Sequence, residues 1–206
     1  MNIQPERKLT TLLFNPFVYI AGGKALGLGL AAILLAGLVG SLSSTHFDGV
    51  LDTHTGFHSP MWTFVAEGLI DWLCLALVLL IFGKIYSTTA FRTIDLVGTQ
   101  ALARWPTFFI SLVTLPPAIQ RFSRDLVQLL TEPGAKLDFN PADAAIFFAA
   151  VAAMLALLCW MVALMYKSYS LSCNLKGGKA VGTFIAGLIM AELLSKIAVY
   201  ELFHLA

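Results

Sequence analysis

Charge is what this sequence has least of. Only 12% of its 206 residues are Asp, Glu, Lys or Arg, against 58% hydrophobic, and the mean hydropathy is +0.82. A soluble domain carries about 25% charged residues. So few charges cannot cover a surface against water, which excludes an aqueous globular domain and leaves an integral membrane protein with the lipid bilayer as its first partner. A formal net charge of +1 offers no basic field for nucleic acid, so no nucleic-acid partner is expected. Cysteine is sparse too. Cys74, Cys159 and Cys173 fall in separate segments with no CxxC or Cys/His spacing. That argues against a disulfide framework or zinc ribbon and for apolar filling. No HExxH, GxSxG, Walker loop or dinucleotide fingerprint occurs. No catalytic residue is therefore assigned, and the reading leans away from an enzyme. The chain also lacks a signal-peptide pattern, because Lys24 and its glycines split the apolar segment after Arg7 and Lys8, so the N-terminus is read as retained.

Long apolar runs are what the sequence has instead. A spanning helix needs about 20 mostly apolar residues. Five segments qualify: residues 25–42, 61–86, 94–119, 142–166 and 178–204. The expected fold is all-α, a single integral membrane bundle of five transmembrane helices. Pro106 is expected to kink the third span. Two amphipathic stretches, around Leu9–Ile20 and Ile119–Leu130, suit short helices lying in the interface. Asn140-Pro141-Ala142-Asp143 reads as a helix start, with Asn140 as the cap and Pro141 as the first helical residue.

Basic residues set the orientation. Arg7, Lys8 and Lys24 precede the first span, Lys84 and Arg92 lie in the second loop, and Lys167, Lys176 and Lys179 lie in the fourth. The first loop has neither Lys nor Arg, and the third offsets its bases with acids. The positive-inside rule places the N-terminus in the cytoplasm and the C-terminus outside a cell membrane. All four histidines then fall on the external side.

Charges inside the spans are expensive and face the bundle interior with partners. Glu67, Asp71, Arg104, Glu192 and Lys196 form such a set. At about 1.5 Å of rise per residue, Asp71 and Lys196 lie at similar depths, roughly 12–13 Å below the external surface. The expected pairs are Asp71 with Lys196, and Glu192 with Arg104 or Lys196. Glu67 sits above them, nearer the first loop. That loop, THFDGVLDTHTGFH, holds His46, His54 and His58. His54 and His58 are four apart, and Asp52 or Glu67 can add an oxygen ligand, so a divalent metal such as zinc is one reading. A solvated loop anchored by Phe47, Phe57 and Trp62 is the other. Small-residue faces at Gly178-Gly182-Ala186, Gly23-Gly27 and Ala36-Gly40 allow close helix approach, within the chain or to another membrane protein or a second copy.

The stretch Trp160–Leu193, WMVALMYKSYSLSCNLKGGKAVGTFIAGLIMAEL, resembles the end of bacterial Yip1-domain proteins, as Arg92, Gly98 and Pro106 resemble marks of that family's third span. Leu12–Ile20, LLFNPFVYI, resembles its N-terminal segment. The DLYGP motif of eukaryotic members is absent, and Thr99 stands where their Gly-Tyr pair has Tyr. The resemblance implies a five-span, Yip1-like architecture. It carries no catalytic residues. The preferred function is a non-enzymatic, membrane-organising or regulatory protein with a buried polar network. The alternative is a small divalent-cation transporter or channel-like protein that captures its ion above Glu67 and Asp71.

Overall fold

A computed structural model describes residues 9–56, 58–132 and 140–205, with the backbone alone at 204 and 205. The elements are α1 (Leu9–Phe14), a 3-10 turn (Pro16–Val18), α2 (Gly22–Ser43), β1 (Thr45–His46), β2 (His54–Thr55), α3 (Met61–Tyr86), α4 (Thr93–Ala103), α5 (Pro106–Val113), α6 (Pro117–Thr131), α7 (Pro141–Ser172) and α8 (Gly177–Leu205). The architecture is an all-α bundle with one short antiparallel ribbon. Four helices, α2, α3, α7 and α8, are long and apolar enough to cross a membrane. Their outward faces carry large exposed side chains such as Leu35, Leu77, Phe148 and Ile189. That pattern suits lipid, since tails solvate leucine as well as a core does.

The third expected span is not one helix. It divides at Arg104-Trp105 into α4 and α5, and α5 ends at Val113. Pro106 opens α5 rather than kinking a continuous rod. Its ring removes an N–H and blocks the preceding turn, so Arg104 and Trp105 donate to Ala101 and Leu102 at 3.2 Å, three residues back. The 94–119 segment therefore stops short of Ile119, which belongs to α6. At the other end of the bundle, α7 runs six residues past the expected 166, to Ser172. Its start is as read: the Asn140 side chain accepts from Ala142 N at 3.0 Å.

The α4–α5 rod occupies the middle. It packs against α2, α3 and α7, and Leu96, Ala101, Ala103 and Ile110 are fully buried or nearly so. Hydroxyls join it to α7: Ser168 Oγ donates to Thr99 Oγ1 at 2.7 Å, and Gln100 Nε2 donates to Met165 O at 3.0 Å. Glycine permits its approach to α2. A Cβ on Gly29 would lie 2.3 Å from the Ala101 carbonyl carbon, and one on Gly98 would lie 2.4 Å from Gly22 O. Gly29→Ala is therefore expected to destabilise the bundle by about 1–3 kcal/mol, the usual cost of overpacking, read as a lowered unfolding midpoint in detergent. Of the stripes picked out in the sequence, Ala36-Gly40 packs closely, since a Cβ on Gly40 would lie 2.9 Å from Thr45 O and Ala36 O accepts from Ser111 Oγ at 2.9 Å, and the other two behave differently. A Cβ on Gly23, Gly27, Gly178 or Gly182 would meet nothing within 4 Å, so those faces do not pack helices within the chain.

Contacts fix the direction of each rod. The end of α2, the start of α3, the end of α5 and the end of α8 meet at the ribbon. Gly22, Asp95, Thr99 and Ser172 meet at the opposite end. Lys24, Lys84, Arg92, Lys167, Lys176 and Lys179 all belong to helix ends or turns at that opposite end. There Lys167 Nζ donates to Phe14 O at 2.9 Å and Trp160 Nε1 to Leu13 O at 3.1 Å, docking α1 on α7.

Candidate functional site

The site is built on the turn that leaves α2. Ser44 ends that helix in the left-handed conformation, φ 51° and ψ 42°, and sends the chain straight into β1. Pairing is Thr45 with Thr55 and His46 with His54. The ribbon lies down on the bundle instead of standing in solvent: Thr45, His46, Phe47 and Val50 are buried. Phe47 is therefore a core residue rather than the interfacial anchor expected of it, while Trp62 is half exposed. Phe57 lies outside the described residues.

Glu67, Asp71 and Glu192 each have a loop or helix partner. Glu67 on α3 is fully buried. Its Oε1 lies 2.7 Å from His46 Nδ1, and its Oε2 accepts the Phe47 N–H at 3.0 Å. Phe64 stacks on the His46 ring at 4.4 Å, and Phe203 of α8 sits against it at 6.1 Å. One turn deeper, Asp71 Oδ2 accepts from Arg104 Nη2 at 3.1 Å. Both residues are shut off from solvent, and Arg104 Nη1 reaches Val50 O at 3.5 Å. On α8, Glu192 Oε2 accepts the Leu51 N–H at 2.8 Å and Ser195 Oγ accepts the Val50 N–H at 3.2 Å. Gly49 leaves room here, since a Cβ would fall 2.5 Å from Glu192 Oε1 and push that carboxylate aside.

These contacts correct the expected pairing. Asp71 pairs with Arg104, not with Lys196. Lys196 hydrogen-bonds Asp52 of the loop and lies 3.7 Å from Glu192. Arg104 does not pair with Glu192. Lys196 is 43% exposed at its side chain, whereas Asp71 is shut off from solvent.

The proposed ligands likewise divide into three places. His46 is spoken for by Glu67. His58 is 2.8 Å from Ser44 Oγ, beside α6. His54 Nδ1 lies 3.2 Å from Asp48 Oδ1, and the two together with Asp52 offer ligand atoms within 4.8 Å of one another. So His46, His58 and Glu67 do not join His54 and Asp52, and Asp48 does. The signal for it was in the sequence: Asp48 and Asp52 flank the tight Gly49-Val50-Leu51 turn. Asp48 and His54 shape each other electrostatically. The His54 imidazole holds the Asp48 carboxyl below its ordinary value, chiefly by their hydrogen bond, and Asp48 raises the His54 imidazole in the same way. A cavity of about 310 Å³ opens beside this trio, lined by His46, Lys196, Val199 and Tyr200 among others. The side chain of His204 lies outside the described residues. Of the three cysteines only Cys173 is buried, while Cys159 faces outward from α7.

Together these features define the class: an all-α membrane bundle with four helices able to span a bilayer, and a polar hairpin folded over one end. Comparison with protein-family models, with curated proteins and with solved structures returns no match.

Proposed function

We propose that the chain is a five-crossing, Yip1-like protein of the cell membrane, non-enzymatic and membrane-organising, in which the buried charges clamp the external hairpin onto the helices. The observation that carries this reading is the mutual consumption of the polar groups. Glu67, Asp71 and Glu192 are each engaged by a loop backbone N–H, a loop histidine or the buried guanidinium of α4's end. Groups held this way fix the register of the hairpin on the helices, while Asp71 Oδ1 and Arg104 Nε have no hydrogen-bond partner among the described residues. The fifth crossing is the divided α4–α5 rod, which at helical rise measures roughly 30 Å, the thickness of the hydrocarbon core. Gathering of the basic residues at the end away from the ribbon supports a cytoplasmic N-terminus and an external C-terminus.

A second reading has one specific observation behind it. Asp48, Asp52 and His54 are close enough to share a divalent cation, as a transporter's or channel's external capture site would require. In the folded chain Lys196 already serves Asp52 as a cation, and an arriving ion has to displace it. Metal analysis separates the two. Protein purified without chelator is expected to carry no stoichiometric zinc or other divalent ion. Titration with zinc is expected to leave its melting temperature unchanged, whereas an ion at 100 times its dissociation constant stabilises by about 2.7 kcal/mol. Stoichiometric metal that His54→Ala abolishes contradicts the first reading and establishes the second.

A further inference from the structure

A second cavity lies beside the histidine–carboxylate hairpin. It is a groove of about 1010 Å³ between the last turn of α2, the β2 strand and one face of α6. α6 is the most amphipathic helix of the chain and crosses the end of α2, where Gln120 Nε2 donates to Ser43 O at 2.8 Å. Its two arginines have different fates. Arg121 is taken by Asp143 through two bonds of 2.7 Å. Arg124 uses only Nε, which donates to Gln120 O at 3.2 Å. Among the described residues Arg124 forms no ion pair, and it lines the groove with Ser44, Ser123 and His58.

The floor of the groove leads into apolar surface. Leu42, 75% exposed, forms its edge, and Leu38 and Leu35 continue the line down the outward face of α2. Successive members of this line are four and three residues apart, about one turn each, and share a face of the helix. The groove thus has a cation and hydroxyl donors at the level where α2 ends, with a leucine track beneath them running into the bilayer.

We infer that this groove binds the headgroup of an anionic glycerophospholipid, its phosphate on the Arg124 guanidinium and the neighbouring hydroxyls, with an acyl chain along Leu42, Leu38 and Leu35. A planar guanidinium matches phosphate oxygens two at a time, and the apolar track is what distinguishes a lipid from free phosphate. Glu132, which also lines the groove, accepts from Gln128 Nε2 at 2.9 Å and forms no ion pair with Arg124. The inference rests on the membrane reading above and gives it a specific ligand.

The test uses the full chain in detergent micelles, with lipid titrated in and thermal stability and native mass spectrometry as readouts. Phosphatidylglycerol is expected to bind about tenfold tighter than phosphatidylcholine, the value of one charge-assisted contact. Arg124→Gln is expected to erase that preference and Arg124→Lys to retain part of it. Lys176→Gln, at the opposite end, is expected to leave it intact. Arg124 is exposed, so these variants fold. The inference is overturned by equal affinity for the two lipids, by a preference unchanged in Arg124→Gln, by full competition from inorganic phosphate, or by a groove filled in a dimer of this chain. If the protein proves not to reside in membranes at all, the membrane reading fails on fractionation, independently of these affinities.

Discussion

Arg104→Leu is expected to destabilise the bundle by about 3–5 kcal/mol, the range found when one partner of a buried ion pair is removed. The cause is less the lost bond than what stays behind. Asp71 has no access to water, and Arg104 is the cation that faces its carboxylate at 3.1 Å. Without it the carboxylate must remain charged in an apolar interior or take up a proton. The Val50 carbonyl and the rod end at Ala103 lose a neighbour as well. Replacing both residues, Asp71→Leu with Arg104→Leu, is expected to recover most of the loss, since apolar substitutes for a whole buried pair are often neutral. Unfolding midpoints of the two single variants and the double variant in detergent decide the point. Two single losses that simply add in the double variant contradict the pairing.

The second large effect is at Glu67. Glu67→Leu is expected to cost about 3–5 kcal/mol, because it strands His46 and the Phe47 N–H, both buried. Unlike loss of Arg104, it acts on the hairpin first. The ribbon has only two residues per strand and cannot hold itself together in water; it depends on the helices beneath. Loss of Glu67 is therefore expected to open the loop before the helices separate, which limited proteolysis between Thr45 and Pro60 detects. The conservative Glu67→Gln keeps an acceptor for Phe47 N–H and is expected to cost less.

How far the sequence could be read depends on which coordinate of a residue is asked for. Long apolar runs announce α2, α3, α7 and α8, and the Asn140-Pro141 start is chemical and local, so both were legible. Position along a helix can be counted from its rise. Azimuth does not come from counting. Asp71 turns toward α4, where Arg104 waits, and Lys196 turns outward to Asp52. No rule of spacing distinguishes those faces, because α3 and α8 are apolar nearly all round and show almost no amphipathic bias. The divided third rod escaped for a related reason. Pro106 announced an irregularity, but whether a proline kinks or restarts a helix depends on neighbours that re-satisfy the carbonyls. In the hairpin, the spacing of His54 and His58 suggested a helical turn. The chain forms a ribbon instead, which includes His54 beside Asp48 and ends before His58, which meets Ser44. The stripes at Gly23-Gly27 and Gly178-Gly182 misled because small-residue spacing recurs by chance in apolar helices, whereas Ala36-Gly40 does pack, and Gly29 and Gly98 meet backbone across the α2–α4 contact.

The central claim is that the acids of α3 and α8 are spent holding the hairpin down. Hydrogen exchange at the Phe47 and Leu51 amides, which donate to Glu67 and Glu192, tests it most directly. Both amides are expected to exchange slowly in the metal-free protein, with protection that neither a chelator nor added zinc alters. Fast exchange in the metal-free protein, or protection that appears only when a divalent ion is added, contradicts the account.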